Sequence, residues 1–246
     1  MIGTRTWISK TSGDLTRFES LRLLATIISL RAKARVLPAT KIVRRDCRVL
    51  TQLPDSKLVR MATEECLDCC TQTLFHHSCR TYFWAAALAS IDQVHYDPEE
   101  LAVASLLHDL HLGKTQTRAA MGCNCFAGAG VAAAEAWLMA HNVGLASVNA
   151  IAEAIALHLN PGVPLSSGAT AHLLNVGAMA DVVGTRISTI AVDQREIVLA
   201  GYPRSGFKKE MAHRMRAEHL AAPKTRAGFL MNIGFARMID MAPFEE

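Results

Sequence analysis

Apolar residues along this chain recur every three to four positions, and nowhere do they alternate with period two for more than a few residues. That spacing marks helices whose apolar stripe faces a core. It predicts helices over residues 15–37, from 55 or 56 to about 70, and over 73–91, 98–112, 130–141, 147–159, 169–187, 193–200, 205–220 and 228–241. Pro38 ends the first of them, because its ring removes a backbone donor and clashes with the preceding turn. The expected fold class is all-α, without an internal repeat.

The boundaries are sharpest around residues 98–112. Asp97 fits the N-cap, Pro98 the first helical position and Glu100 the returning arm of a capping box. Gly113 supplies a left-handed C-cap. Between these marks Leu, Ala and Val occupy nearly every face, so the helix is expected to be buried rather than amphipathic. His108 and Asp109 sit in this helix. Burying a carboxylate beside an imidazole is unfavourable unless something pairs with both. A metal ion is the simplest such partner, and a hydrogen-bonded core pair is the plain alternative.

Composition changes the picture in three ways. At 246 residues, half of them apolar, the chain can bury one full core. No run of apolar residues is long enough for a membrane span. The net charge of +4 is unevenly placed, residues 1–60 holding thirteen Lys/Arg against four Asp/Glu. The expected division is therefore a basic helical N-terminal extension over 1–52 and a domain over 53–246. The extension reads as a solvated arm, a targeting peptide or a contact for an anionic partner. No basic patch interleaved with aromatics supports a nucleic-acid partner. Seven cysteines, an odd number without framework spacing, point to a reducing, cytoplasmic setting. Cys66, Cys69 and Cys70, and the pair Cys123 and Cys125, read as buried or spare thiols rather than a structural zinc site, which needs four ligands at repeated spacing.

Three further titratable residues fall on apolar helices. His77 shares a face with Arg80, Thr81, Trp84 and Leu88, whereas His76 points about 100° away. Asp181 lies on a helix whose face is Leu174, Gly177, Ala178 and Gly184, small enough for another helix to approach closely. Arg186 is the one basic residue near it along the chain. His77, His108, Asp109 and Asp181 together make an N₂O₂ set suited to Zn²⁺, Fe²⁺, Mn²⁺ or Co²⁺. His158 ends a helix stopped by Asn160 and Pro161, where the helix dipole favours an imidazolium.

In order and spacing, His77, then His108 with Asp109, then Asp181 resemble the H…HD…D signature of the HD-domain superfamily of metal-dependent hydrolases. Residues 53–56, 76–80, 106–110, 154–162, 175–184 and 202–207 are similar to the cyanamide hydratase-like branch of that superfamily, and the likeness covers roughly residues 53–240. The resemblance implies an HD-domain helical bundle and a divalent metal held by His77, His108, Asp109 and Asp181. It implies catalytic roles for Asp109 and His158, the latter in proton transfer, and a weaker supporting role for His111. Arg80 and Lys114 are expected as contacts for an anionic small-molecule substrate. The implied reaction is attack of a metal-activated water, on a phosphoester in the superfamily's commoner chemistry or on a nitrile-like group in the branch. A non-catalytic relative that binds a nucleotide or a protein partner is the rival, and homo-oligomerisation is left open. One departure bears on the choice. Ala127 and Ala129 stand where the branch tends to carry two carboxylates, which weakens hydration chemistry and leaves the metal ligands untouched.

Overall fold

The structure is a computed structural model and describes residues 1–36, 52–114 and 123–245. Every regular element among them is helical. The α-helices are α1 (Arg5–Thr11), α2 (Arg17–Val36), α3 (Lys57–Cys69), α4 (Gln72–Asp92), α5 (Pro98–Leu107), α6 (Phe126–Ala140), α7 (Leu145–Leu157), α8 (Ala169–Val183), α9 (Val192–Gly201), α10 (Phe207–Ala221), α11 (Arg226–Asn232) and α12 (Phe235–Asp240). Among the described residues no helix is long and apolar enough to cross a membrane.

Side-chain caps set the starts of the helices that carry the chemistry. Ser56 accepts from Val59 N to begin α3, and Thr71 accepts from Leu74 N to begin α4. Asp97 accepts from Glu99 N and Glu100 N to begin α5. These side chains satisfy donors that the first helical turn leaves without partners. The capping box is not closed as the sequence led us to expect, because Glu100 instead accepts from the Thr170 hydroxyl on α8. Nor does the helix run to residue 112: α5 stops at Leu107, and a tight turn ending at Gly113 (φ +83°) carries the chain onward.

Helices α4, α5, α7 and α8 form the centre, and α4 against α8 is the most extensive contact. α4 is buried all round from His77 to Ala89. The small face of α8 makes the close approach: a Cβ on Gly177 would lie 2.3 Å from the Thr81 carbonyl oxygen and 2.8 Å from the Ala85 Cβ. A second apolar cluster, built around Phe207, Met211, Met215, Leu230, Phe235 and Ile239, joins α10, α11 and α12. The helix expected over 228–241 is two, divided where Gly234 turns left-handed (φ +89°).

Of the extension expected over 1–52, the structure describes residues 1–36 and 52. Residues 1–15 pack onto the centre. Ile8 is buried, Arg5 pairs with Glu135 and reaches Asn149, Asn160 donates to the Ile2 carbonyl, and Asp14 bridges to Thr225. On α2, Phe18, Leu21, Leu24 and Ile28 are exposed and Leu23 is buried, while Leu30 lies against Gly162 and Arg31 reaches Met238. The basic stretch read over 38–52 lies almost wholly outside the described residues.

A candidate metal centre

Two helices end at the same place. His108 is the C-cap of α5 and His158 the C-cap of α7. At a helix C-terminus the last carbonyls lack intrahelical donors, and each imidazole fills that role. His108 Nδ1–H donates to Ser105 O at 2.7 Å, and His158 Nδ1–H donates to Ile155 O at 2.6 Å. A carbonyl only accepts, so Nδ1 carries the proton in both rings and Nε2 is left as a bare lone pair. His77 reaches the same tautomer by another route, its Nδ1–H donating to the Asp181 carboxylate at 2.7 Å.

The three Nε2 atoms converge on Asp109. His108 Nε2 lies 3.3 Å and His77 Nε2 3.5 Å from Asp109 Oδ2, and His158 Nε2 lies 3.5 Å from Asp109 Oδ1. None of the three Nε2 atoms has a hydrogen-bond partner, and all four residues are buried. The ligand atoms of His77, His108 and Asp109 lie within 4.8 Å of one another, close enough to share one ion. Lone pairs thus face lone pairs in a site closed to bulk water. Such an arrangement is repulsive until a cation enters it. The negative ends of the α5 and α7 dipoles add to the same demand. An imidazole and carboxylate donor set fits Zn²⁺, Fe²⁺, Mn²⁺ or Co²⁺.

Without a metal, a proton on His108 takes part of the cation's place beside Asp109. Burial works against ionising Asp109, but the His108 charge and the neighbouring His77 and His158 rings hold its carboxyl well below the usual range. Burial works against His108 as well, yet the adjacent Asp109 raises it. Burial dominates at His158 and pushes it down to about 3, with Asp109 offsetting only part. His158 is therefore neutral near neutral pH, its Nε2 free to accept a proton.

Asp181, expected among the ligands, occupies the other side of His77. Its Oδ1 accepts from Arg80 Nε (2.8 Å) and Trp84 Nε1 (2.9 Å) and forms an ion pair with Arg204 Nη1 (3.0 Å), which donates to the Asp181 backbone carbonyl (2.7 Å); its Oδ2 accepts from Arg80 Nη2 (3.0 Å) and His77 Nδ1 (2.7 Å). Every lone pair is taken. Burial opposes its ionisation, but the Arg80 and Arg204 guanidiniums hold its carboxyl well below the usual range. In this arrangement Asp181 orients His77, as outer carboxylates do behind metal-bound histidines.

Arg80, expected as a substrate contact, has a buried guanidinium that donates to Asp181 and to the Tyr202 and Pro203 carbonyls. Lys114 is half-buried at the end of the described segment, near enough to Cys69 and Cys70 for its charge to act on both thiols. His111 lies one turn on from His108 and half-buried, and His76 faces the Pro203 carbonyl outside the cluster. Ala127 and Ala129 are fully buried in the first turn of α6, beside the His108 backbone that Gly130 approaches, and they contribute no acid.

Two residues of the site were missed by sequence reasoning. Arg204 lies between the Phe207 and Phe244 rings, 4.5 and 3.9 Å from their centroids, and Phe207 itself stacks on His77 at 4.9 Å. Tyr202, Pro203 and Arg204 stood in a matching segment, but nothing along the chain tied them to Asp181.

No model of a known protein family matches this chain, and no curated protein matches it.

Proposed function

We propose that this chain is a divalent-metal-dependent hydrolase of the HD type, acting on a small-molecule phosphoester. The observation that carries the reading is the buried set of imidazole lone pairs and one carboxylate with no hydrogen-bond donor to satisfy them. His77, His108 and Asp109 would hold the metal, which when bound polarises the electrophile and acidifies a water. The protein's own groups do the rest. The Ser105 carbonyl and Asp181 fix the His108 and His77 tautomers, so both lone pairs are aimed before the ion arrives. His158, whose Nε2 stands 3.5 Å from Asp109 Oδ1 with no hydrogen-bond partner, is the group placed to take a proton as general base. Burial keeps bulk water away and strengthens each electrostatic contact. Ala127 and Ala129 leave α6 without the acids that nitrile hydration would use in the similar branch, which favours phosphoester chemistry.

The test is to strip the protein with a chelator and reload it separately with Zn²⁺, Mn²⁺, Fe²⁺ and Co²⁺. Each form is then assayed on phosphomonoesters, phosphodiesters, nucleotides and small nitriles. Metal-restored phosphoester turnover is expected. Turnover confined to nitriles would replace this reading with hydration. Nucleotide-induced thermal stabilisation without any turnover would replace it with a binding role.

A further inference from the structure

A second buried chemical cluster lies outside the metal centre, where residues 12–14 meet the start of α6. Cys125 is the N-cap of α6, its sulfur accepting from Gly128 N at 3.3 Å. Cys123 Sγ stands 3.5 Å from Cys125 Sγ. The protein is built closely around both sulfurs: a Cβ on Gly13 would lie 2.5 Å from Cys125 Sγ, and one on Gly128 would lie 2.2 Å from Cys123 Sγ. Gly13 also has φ +87°, which side chains rarely adopt.

The third member is Arg226, at the start of α11. Its guanidinium is fully buried, and Nη1 donates to the Ala156 carbonyl and to Asn160 Oδ1 at 2.7 and 2.9 Å. Nε and Nη2 have no hydrogen-bond partner, and among the described residues no carboxylate pairs with this arginine. Glu153, an acid near enough to act on it, accepts from the Arg5 backbone instead. A buried guanidinium needs a counter-charge, and the Cys125 sulfur is the group placed to supply one. The hydrogen bond from Cys123 holds the Cys125 thiol down to about 6 against the effect of burial, with Arg226 and the Gly128 N–H assisting. The same hydrogen bond, with burial, pushes Cys123 up. The geometry agrees: Cys125 Sγ accepts from the Gly128 N–H, whereas Cys123 Sγ faces the Ser12 and Cys125 carbonyls, which only accept, so Cys125 is the thiolate and Cys123 keeps its S–H.

We propose that Cys123 and Cys125 form a redox site that reacts with small hydroperoxides, Cys125 as the attacking thiolate and Cys123 as the resolving thiol. The Cys125 sulfur attacks the peroxide, the O–O bond breaks, and the departing alkoxide or hydroxide takes a proton from solvent. The resulting sulfenic acid is attacked by the Cys123 sulfur, whose proton leaves with the hydroxyl as water. Two thiols are oxidised to one disulfide, and the hydroperoxide is reduced to an alcohol (or water) and water. Closing the bond removes the α6 cap and the Arg226 counter-charge. It acts on the segment that carries His158, since Phe126 stands 5.7 Å from that ring and Arg226 binds both sides of it.

The test treats the full chain with stoichiometric hydrogen peroxide at neutral pH and maps thiols by mass spectrometry. The segment holding both residues should lose two hydrogens, more than about tenfold faster than the half-buried Cys69 is oxidised, and a dithiol reductant should restore it. Cys123→Ser should leave a Cys125 sulfenic acid that a cyclic 1,3-dione captures. Cys125→Ser should slow Cys123 oxidation about tenfold or more. Serine keeps the cap in the second variant but not the charge beside Arg226, so far-UV circular dichroism of that variant accompanies its oxidation rate, and the Cys123→Ser adduct tests the proposal independently. Oxidation no faster than at Cys69, or no dione adduct in Cys123→Ser, overturns the proposal.

Discussion

Asp109 and Asp181 are both buried aspartates, and both touch His77, yet their surroundings are opposite. Asp181 is ringed by donors: two guanidiniums, an indole and an imidazole N–H fill its lone pairs. Asp109 is ringed by three imidazole Nε2 atoms, none of which makes a hydrogen bond. The first is a finished hydrogen-bond network, and the second could hold a cation. His77 joins them, one ring nitrogen in each. The lesson is that residue type and burial do not separate a ligand from its support. What separates them is the balance of donors and acceptors around each oxygen.

The comparison breaks most severely on the acceptor side. His108→Ala and Asp109→Ala are expected to abolish turnover while far-UV circular dichroism keeps its helical signal. Loss of the helical signal would mean that Asp109, like Asp181, is structural. The next effect is at His158. His158→Ala should retain bound metal and lower turnover about a hundred- to ten-thousandfold, the usual contribution of a positioned proton-transfer group. Steady-state kinetics on fully loaded protein would read it, and an unchanged rate would remove His158 from the mechanism.

On the donor side the expected loss is of stability. Asp181→Ala leaves Arg80 and Arg204 buried without their carboxylate, at a cost of about 3–5 kcal/mol. In the metal-free protein Asp109→Asn should cost less than that, since Asp109 faces imidazoles and leaves no buried guanidinium without its carboxylate. Urea unfolding of the two variants, giving equal losses, would erase the distinction. The smallest effect is in pH. The folded chain keeps His158 neutral down to about pH 3, whereas the unfolded chain protonates it near 6.5. The unfolded state binds the extra proton in that window, so metal-free stability should fall as pH drops below about 6.5, by at most about 1.4 kcal/mol per unit. The raised His108 does not cancel this, because its contribution is already complete below 6.5. Asp109 and Asp181 add their own loss once pH falls beneath the ordinary carboxylate value of 3.8. Denaturant titrations between pH 7.5 and 4.5 should show the slope, flattened in His158→Ala; an equal slope in that variant would contradict the assignment.

Much of the helical frame is written locally. Asp97, Pro98 and Gly113 mark the α5 region because caps and left-handed glycines act within a turn of where they stand. α1 was not legible. Its seven residues are rich in Thr and Ser and bury one apolar side chain, Ile8, and its stability comes from partners such as Glu135, Asn149 and Asn160. The role of Asp181 was hidden for the same reason on a larger scale. The chain offers Arg186 near it, but Arg186 pairs with Asp92, and the guanidiniums that reach Asp181 come from Arg80 on α4 and from Arg204 beyond α9. Spacing finds residues on one face of one helix. It does not reveal which side chains a second helix and a distant loop bring to a single oxygen.

The most direct measurement is titration of chelator-stripped protein with Zn²⁺ or Mn²⁺, followed calorimetrically and checked by elemental analysis, in the wild type, Asp109→Ala and Asp181→Asn. The account predicts a single bound divalent ion per chain in the wild type, none in Asp109→Ala, and affinity reduced about 10- to 100-fold in Asp181→Asn, as for other carboxylates that orient a ligand. Full metal occupancy in Asp109→Ala, or a wild-type chain that binds no divalent ion, would contradict it.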